Sequence, residues 1–264
     1  MGSIVHGSKL SNPAESLSVV LITLNEEKNL SALLADIPKG AEIIVVDSGS
    51  DDQTRSLATA HGAHVHVRAF DDYATQKNYA LSLATRSWTL CLDADERPDA
   101  KLWTEILGAV ARNDSKAFRL SRRLVFAGRR MRFGRTTDDV VRLFPAGAAT
   151  YRNEIHESLS LLMPMSSDRL AGVLWHFSYE DLSDYFLKFN RYTSLVAKSR
   201  ISNHAPLPAK VLLAMRLPVD FFGRYILRAG FLDGWHGFLW AVLGAFYGFI
   251  KYAKAMEMES KARQ

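Results

Sequence analysis

The chain has 264 residues, 48% of them hydrophobic and 23% charged, with 16 glycines and 8 prolines, which excludes disordered, collagen-like and disulfide-rich classes and leaves ample length for a large buried core. A lone cysteine, Cys91, excludes an intramolecular disulfide and a Cys-based zinc cluster. The net charge of +5 is uneven: residues 1–180 hold 21 Lys/Arg against 22 Asp/Glu, and residues 181–264 hold 12 against 6, so the basic, aromatic C-terminal third suits an anionic membrane surface or a solvated set of basic helices.

Residues 1–16 lack the basic start and apolar run of a signal peptide, and position 6 is His where a myristoylation motif needs Ser or Thr. A flexible N-terminal segment on a cytoplasmic protein is expected. From 17 to 112, short apolar runs (17–24, 42–47, 63–67, 88–93) alternate with segments of helical period (27–37, 52–62, 74–85, 99–112). The runs are rich in Val, Ile and Leu without polar alternation, the pattern of strands buried on both faces, so an α/β domain with a parallel sheet between helices is predicted. Ligands on such sheets bind at the carboxyl ends of strands. Three runs end there in polar residues: Thr23-Leu24-Asn25-Glu26, Asp47-Ser48-Gly49-Ser50-Asp51-Asp52 and Asp93-Ala94-Asp95-Glu96.

After 115 the pattern becomes extended pieces around a Gly-containing turn, which predicts a small antiparallel extension. A helix is expected over 182–203, then a break at Ala205-Pro206-Leu207-Pro208, then a helix opened by Pro218 with Asp220, Arg224 and Arg228 every four residues. The expected organisation is therefore an N-terminal segment 1–16, a catalytic domain 17–203 and a helical, membrane-associating region 204–264. Between Gly234 and Ile250 lie 17 residues without Asp, Glu, Lys or Arg, the lower limit of the roughly 17–25 needed to span a bilayer. Four glycines and His236 interrupt them, so a helix lying in the membrane interface is expected, with a soluble helical pair as the alternative.

Asp93 and Asp95 place two carboxylates one residue apart past a buried strand, where they can share a hard divalent cation, Mg²⁺ or Mn²⁺, with diphosphate oxygens. The other reading is a turn cap ahead of a helix starting at Arg97-Pro98. Asp47 ends a strand and caps the next turn, and there it can also accept the imide N–H of uracil. Lys77 is either a phosphate contact or a solvated helix lysine. Residues 112–135 hold nine Lys/Arg against Asp114, a density that suits an anionic acceptor or phospholipid. No nucleic-acid partner is expected, because the run lacks interleaved aromatics and any DNA-binding motif. His61, His64 and His66 lack the spacing of a metal site.

In order and spacing, SVVLITLNEEKNL, EIIVVDSGSDDQT, QKNYAL and LCLDADE resemble the family 2 glycosyltransferases of GT-A fold. Later segments, DDVVRLF, NEIHESL and FLDGWHGFLWAVLGAFYGFIKYAK, resemble the branch containing lipopolysaccharide core β-1,4-glucosyltransferases that act on heptose. The resemblance implies a Rossmann-like, mostly parallel sheet, a nucleotide-sugar donor, a divalent metal and inversion at the anomeric carbon. It further implies that Thr23, Asn25, Glu26 and Asp47 hold the nucleoside, Lys77 the phosphates, and Asp93 and Asp95 the ribose and metal, with Leu24 a departure where many members carry Tyr or Arg.

An inverting transfer needs a base for the acceptor hydroxyl. The candidates are Asp138, Asp139 and Glu157, with Asp138 first because its spacing to Arg142 matches the resembling branch. His156 is a candidate to complete the metal shell, or is a packed histidine. The expected activity is hexosyl transfer, with UDP-glucose as the first donor, to a lipid-linked or phosphorylated saccharide on the inner face of the cell membrane. The alternatives are a polyprenyl-phosphate glycosyltransferase and a non-catalytic membrane-docking scaffold.

Overall fold

The computed structural model describes residues 12–152, 158–162 and 164–262. The described chain forms two compact units, one of residues up to Arg122 together with Asp139–Leu174, the other of Arg123–Asp138 together with residues from Trp175 onward.

The first unit starts with a short 3₁₀ turn, Pro13–Ser16, inside the stretch expected to be flexible; Asn12 caps it by accepting from the Ala14 amide. Then come β1 Leu17–Thr23, α1 Glu27–Asp36, β2 Glu42–Asp47, α2 Thr54–Ala60, β3 His64–Val67, α3 Tyr73–Ser82, β4 Trp88–Cys91, β5 Glu96–Pro98 and α4 Ala100–Arg112. Strands β6 Ala117–Phe126, β8 Thr137–Pro145 and β11 Ser167–Tyr179 follow, and β9 Ala149–Arg152 pairs antiparallel with β10 Ser158–Leu161. Between β6 and β8 lies β7 Arg129–Arg130.

The sheet runs β3-β2-β1-β4-β8-β6-β11-β5. β1 is parallel to β2 and β4, and β2 to β3, while β8 joins β4 antiparallel. This is the GT-A architecture expected, a Rossmann-like parallel half with an antiparallel extension. Its cause is visible in β1, where six of seven residues are buried. Leu17, Val19 and Leu21 face one way, packing with Leu30 and Leu33 of α1 and Leu102 and Ile106 of α4. Val20 faces the other way with Ala74 and Ala80 of α3. The connection from β2 to β3 thus lies on one face and that from β3 to β4 on the other, which makes the carboxyl ends of β1 and β4 a topological switch point.

The helical segment expected over 99–112 is α4, capped by Asp99, whose Oδ1 accepts from the Leu102 amide at 2.7 Å; Glu96–Pro98 is a strand, so the alternative of a helix starting at Arg97-Pro98 does not hold. The cap follows the proline because an extended residue with a free acceptor is needed there, and Asp99 supplies both.

The second unit packs α5 Leu182–Ser202 and α6 Lys210–Phe222 against α7 Gly234–Ala262. Within it β7 pairs with the end of β6, Phe126 with Arg129. Its core gathers Leu124, Phe126, Met131, Tyr185, Phe189 and Leu243. Buried Asp233 fixes the turn before α7, its Oδ2 accepting from the Arg132 and Phe133 amides at 2.9 Å. Pro218 does not open a helix; it lies within α6. Pro218 and Ala214 are both on the exposed side, so the carbonyl that loses its partner to the proline is left to water. Among the described residues no helix is long and apolar enough to cross a membrane.

The packing of β11 on α4 gives a stability test. A Cβ on Gly172 would meet the Leu102 backbone at 2.4 Å, and backbone cannot rotate away. Gly172→Ala is expected to cost about 1–3 kcal/mol through overpacking, measured as a lower midpoint in urea unfolding with the slope unchanged.

Candidate active site

Two clusters stand at the carboxyl ends of the parallel strands, both in the first unit. The first joins the turns after β1 and β2. Asp47 is fully buried; its Oδ1 accepts from the amides of Gly49 at 3.0 Å and Ser50 at 2.8 Å, and its Oδ2 from the hydroxyls of Thr23 at 3.0 Å and Ser50 at 2.5 Å. A carboxylate offers about four lone-pair sites, so this set uses them all. Gly49 takes φ +97° to let the turn fold back, a conformation nearly closed to other residues. Asn25, itself at φ +56°, accepts from the Asp51 amide at 3.0 Å and donates its own amide to Ser50 Oγ at 2.9 Å. The Glu26 amide donates to Thr54 Oγ1 at 2.8 Å, while Glu26 Oε2 accepts from Asn29.

Thr23, Asn25, Glu26 and Asp47 are therefore brought together, but as the frame of a double turn. Asp47 lends both oxygens to this frame, and Arg55 Nε stands 3.8 Å from its Oδ1. The residue after it, half-buried Ser48, accepts from Gln76 Nε2 at 3.1 Å. Leu24 projects from the same turn and is 53% exposed.

The second cluster lies past β4. Arg142, 5% exposed, reaches from β8 with Nη2 at 2.6 Å from Asp93 Oδ2 and 2.8 Å from Glu96 Oε1. Lys77 of α3 donates to Asp93 Oδ1 at 2.9 Å and lies 5.2 Å above the Tyr151 ring. Glu96, fully buried, also takes Arg122 at 3.2 Å, and its Oε2 accepts from the Asp93 amide at 3.0 Å. Three cations thus surround two carboxylates, with Asp95 the third acid on the same turn. Burial opposes ionisation of Asp93, yet Arg142 and Lys77 outweigh it and hold the carboxyl well below its ordinary value. Burial likewise works against the Arg142 charge, and Asp93 and Glu96 more than compensate. The Cys91 thiol beside them is pushed up to about 11 by burial, so it stays protonated and unreactive at neutral pH.

Lys77 is not a solvated helix lysine: it is buried and turned inward onto Asp93. Sequence reasoning missed the centre of this cluster, Arg142, which it used only as a spacing mark, and also Glu96, Tyr151 and Arg122. The available signal was an arginine between apolar residues in VVRLF, where a strand buried on both sides requires an acidic partner.

Asp139 pairs with Arg169 at 3.1 Å, and Arg169 also donates to Ser121 Oγ at 3.1 Å. Asp138 is exposed at the start of β8 and belongs to the second unit. His156 and Glu157 lie outside the described residues. Among the described residues no three His, Cys, Asp or Glu side chains are placed to hold a metal ion by themselves. The basic run is partly spent on local pairs, Arg112 with Asp114 and Lys116 with Asp168.

A sequence model described as glycosyl transferase family 2 matches residues 18–159, the segment that carries both clusters. The chain belongs to this family. The family 2 glycosyltransferase is similar along its length to the lipopolysaccharide core biosynthesis glycosyltransferase LpsC of Rhizobium meliloti, with 30% identity over 95% of this chain and 96% of that protein. An uncharacterized glycosyltransferase of Rickettsia typhi is 26% identical over 94% of this chain and 89% of its own. Among solved structures, glucosyl-3-phosphoglycerate synthase from Mycobacterium tuberculosis in complex with Mn²⁺, UDP-glucose and phosphoglyceric acid is 22% identical; the match covers 44% of this chain and 47% of that one, with a TM-score of 0.35. The chain thus spans about half the length of that structure. As a family 2 member, the protein is a hexosyltransferase.

The donor set at the second cluster fits a divalent ion of a particular kind. Asp93 and Asp95 are half-buried on one turn, and Mg²⁺ binds through one or two carboxylates plus substrate phosphates rather than an all-protein cage. Lys77 and Arg142 engage both oxygens of Asp93, and Asp95 stands two residues on along the same turn.

Breaking the buried pair tests its weight. Arg142→Leu leaves Asp93 and Glu96 short of a cation and is expected to cost about 3–5 kcal/mol. Asp93 also fixes a pH dependence: with its folded value depressed, its stabilisation is fully present above the ordinary 3.8 and is lost as pH falls through the folded value. The stability gap between the wild type and Asp93→Asn is therefore expected to hold from pH 7 to about 4 and to shrink below that, read by urea unfolding across pH.

Proposed function

We propose that this glycosyltransferase moves a hexose, glucose first among donors, from a UDP-sugar to a lipid-linked saccharide of the lipopolysaccharide inner core, on the inner face of the cell membrane. One observation carries the reading: a buried cation pair, Lys77 and Arg142, is clamped by Asp93 at the β1/β4 switch point, where a diphosphate group would lie. Similarity to the core biosynthesis enzyme over nearly all of both chains supports the acceptor class.

In this reading the stitched turns at 23–26 and 47–54 form a rigid wall for the nucleoside, with Asp47 holding the wall's shape. Asp93 keeps Lys77 and Arg142 charged and fixed, so that they need no reorganisation when phosphate charge develops on the leaving group. Asp95, supported by Asp93, would hold Mg²⁺ or Mn²⁺, which when bound neutralises the departing diphosphate. His156 remains assigned to the same shell. Asp138 is assigned as the base that takes the acceptor proton, with Asp139, which pairs with Arg169, and Glu157 its rivals.

Two outcomes test the assignment. Asp95→Ala is expected to leave circular dichroism and thermal unfolding within error of the wild type while lowering hexosyl transfer by about two orders of magnitude or more, with UDP-glucose, membrane extract and Mn²⁺ supplied. Full activity of this variant, or of the wild type in excess chelator, would remove the metal from the mechanism. Asp138→Asn is expected to lower transfer by about 10²–10⁴-fold with UDP affinity unchanged, because an amide keeps the shape but takes no proton. An active Asp138→Asn beside a dead Asp139→Asn would move the base by one residue.

A further inference from the structure

The apolar run 234–250 is not the surface that the fold leaves open. Gly237, Ala241, Leu243, Ala245 and Gly248 of α7 are buried, because that helix is the one on which α5 and α6 both pack. The longest exposed apolar stripe in this region is on α6. Val211, Met215, Val219 and Phe222 are 74%, 58%, 63% and 56% exposed, and their spacing of four, four and three residues aligns them on one side of the helix; Ile226, 49% exposed, follows in the π-helical turn Gly223–Leu227 that continues α6. Leu213, on the other side, is 4% exposed. A helix on a water-facing surface shows the reverse, a polar outer side over one apolar inner stripe. The outer stripe continues past the helix end through Leu227, 84% exposed, to Trp235, 65% exposed. An apolar patch of this extent marks an interaction surface.

Its charges select the occupant. Between Leu207 and Ile250 the acids are Asp220 and Asp233 alone. Asp220 is paired with Arg216 at 3.1 Å, and Asp233 is buried against backbone amides. Lys210 and Arg228, both exposed, bracket the stripe. A second copy of the chain would bring these cations against each other with no exposed carboxylate to meet them, whereas an anionic headgroup layer complements them. Among the described residues no helix is long and apolar enough to cross a bilayer, α6 included.

We infer that the outer side of α6 and the turn following it seat the protein on an anionic lipid bilayer, lying in the headgroup boundary with Trp235 at its edge. The inference rests on the membrane placement proposed above and assigns it to α6, the turn that follows and Trp235 at the start of α7, rather than to the body of the 234–250 run.

The test is flotation of the full-length protein with phosphatidylcholine vesicles, with and without phosphatidylglycerol, at low and high salt. The wild type is expected to float with the anionic vesicles at low salt. The doubly substituted Val219→Glu, Phe222→Glu protein is expected to lose about tenfold or more of its bound fraction, and Lys210→Glu with Arg228→Glu to lose the preference for phosphatidylglycerol. Val242→Glu, on the exposed side of α7, is expected to float like the wild type. As a readout independent of variant folding, brominated lipid is expected to quench wild-type fluorescence more than that of Trp235→Phe.

Failure of the wild type to float overturns the inference, as does equal quenching of the two proteins. Flotation lost in Val242→Glu but kept in the α6 variant returns the contact to α7. A lipid-free dimer split by the α6 substitutions makes a second copy the occupant. UDP-glucose hydrolysis in vesicle-free solution, read on the same preparations, reports the transfer reading separately.

Discussion

Arg142 carries its charge where solvent scarcely reaches, and the donor edge of the sheet is organised by the need to neutralise it. A guanidinium in low dielectric must find carboxylates in good geometry or cost several kcal/mol. Asp93 and Glu96 meet that need, and each then draws a further cation, Lys77 from α3 and Arg122 from β6. One charge thereby ties β4, β5, β6, β8 and α3 to a single turn. Buried ion clusters are poor sources of net stability compared with apolar packing. What this one provides is a fixed array of charge at the switch point, assembled before any ligand arrives.

The same logic separates the two turns of the site. At the β1/β2 edge Asp47 accepts four hydrogen bonds from neutral donors of its own turn and of Thr23, with the Arg55 guanidinium further off at 3.8 Å. At the β4 edge the donors are charged and the carboxylates are shared between them. A nucleoside suits the first environment and a diphosphate the second, and the two lie on neighbouring strands of one sheet.

Much of the fold was legible because the cause is local: unbroken Val/Ile/Leu runs such as 42–47 can only be strands buried on both faces, and Gly-, Asn- and Asp-rich turns punctuate them. The charged partners were not legible, since Arg142 meets Asp93 across 49 residues of sequence and Lys77 arrives from a helix on the opposite face. The helix over 99–112 was legible from its own period and its Asp99 start, whereas nothing local marks Glu96–Pro98 as a strand, which only pairing in the sheet makes it. Pro218 misled because its cost in α6 is low on an exposed side. The apolar count at 234–250 was plain, but which apolar residues face outward depends on what α5 and α6 cover, and this moved the open surface to α6.

The central claim is that the Asp93 turn with Lys77 and Arg142 receives the donor's diphosphate. The most direct measurement is an anomalous difference map at the manganese edge from crystals grown with UDP and Mn²⁺. The account predicts a single peak between Asp95 and the diphosphate, with the phosphates against Lys77 and Arg142 and the uracil against the turn at 48–50. UDP bound away from the β1/β4 edge, or a manganese peak remote from Asp95, would contradict it.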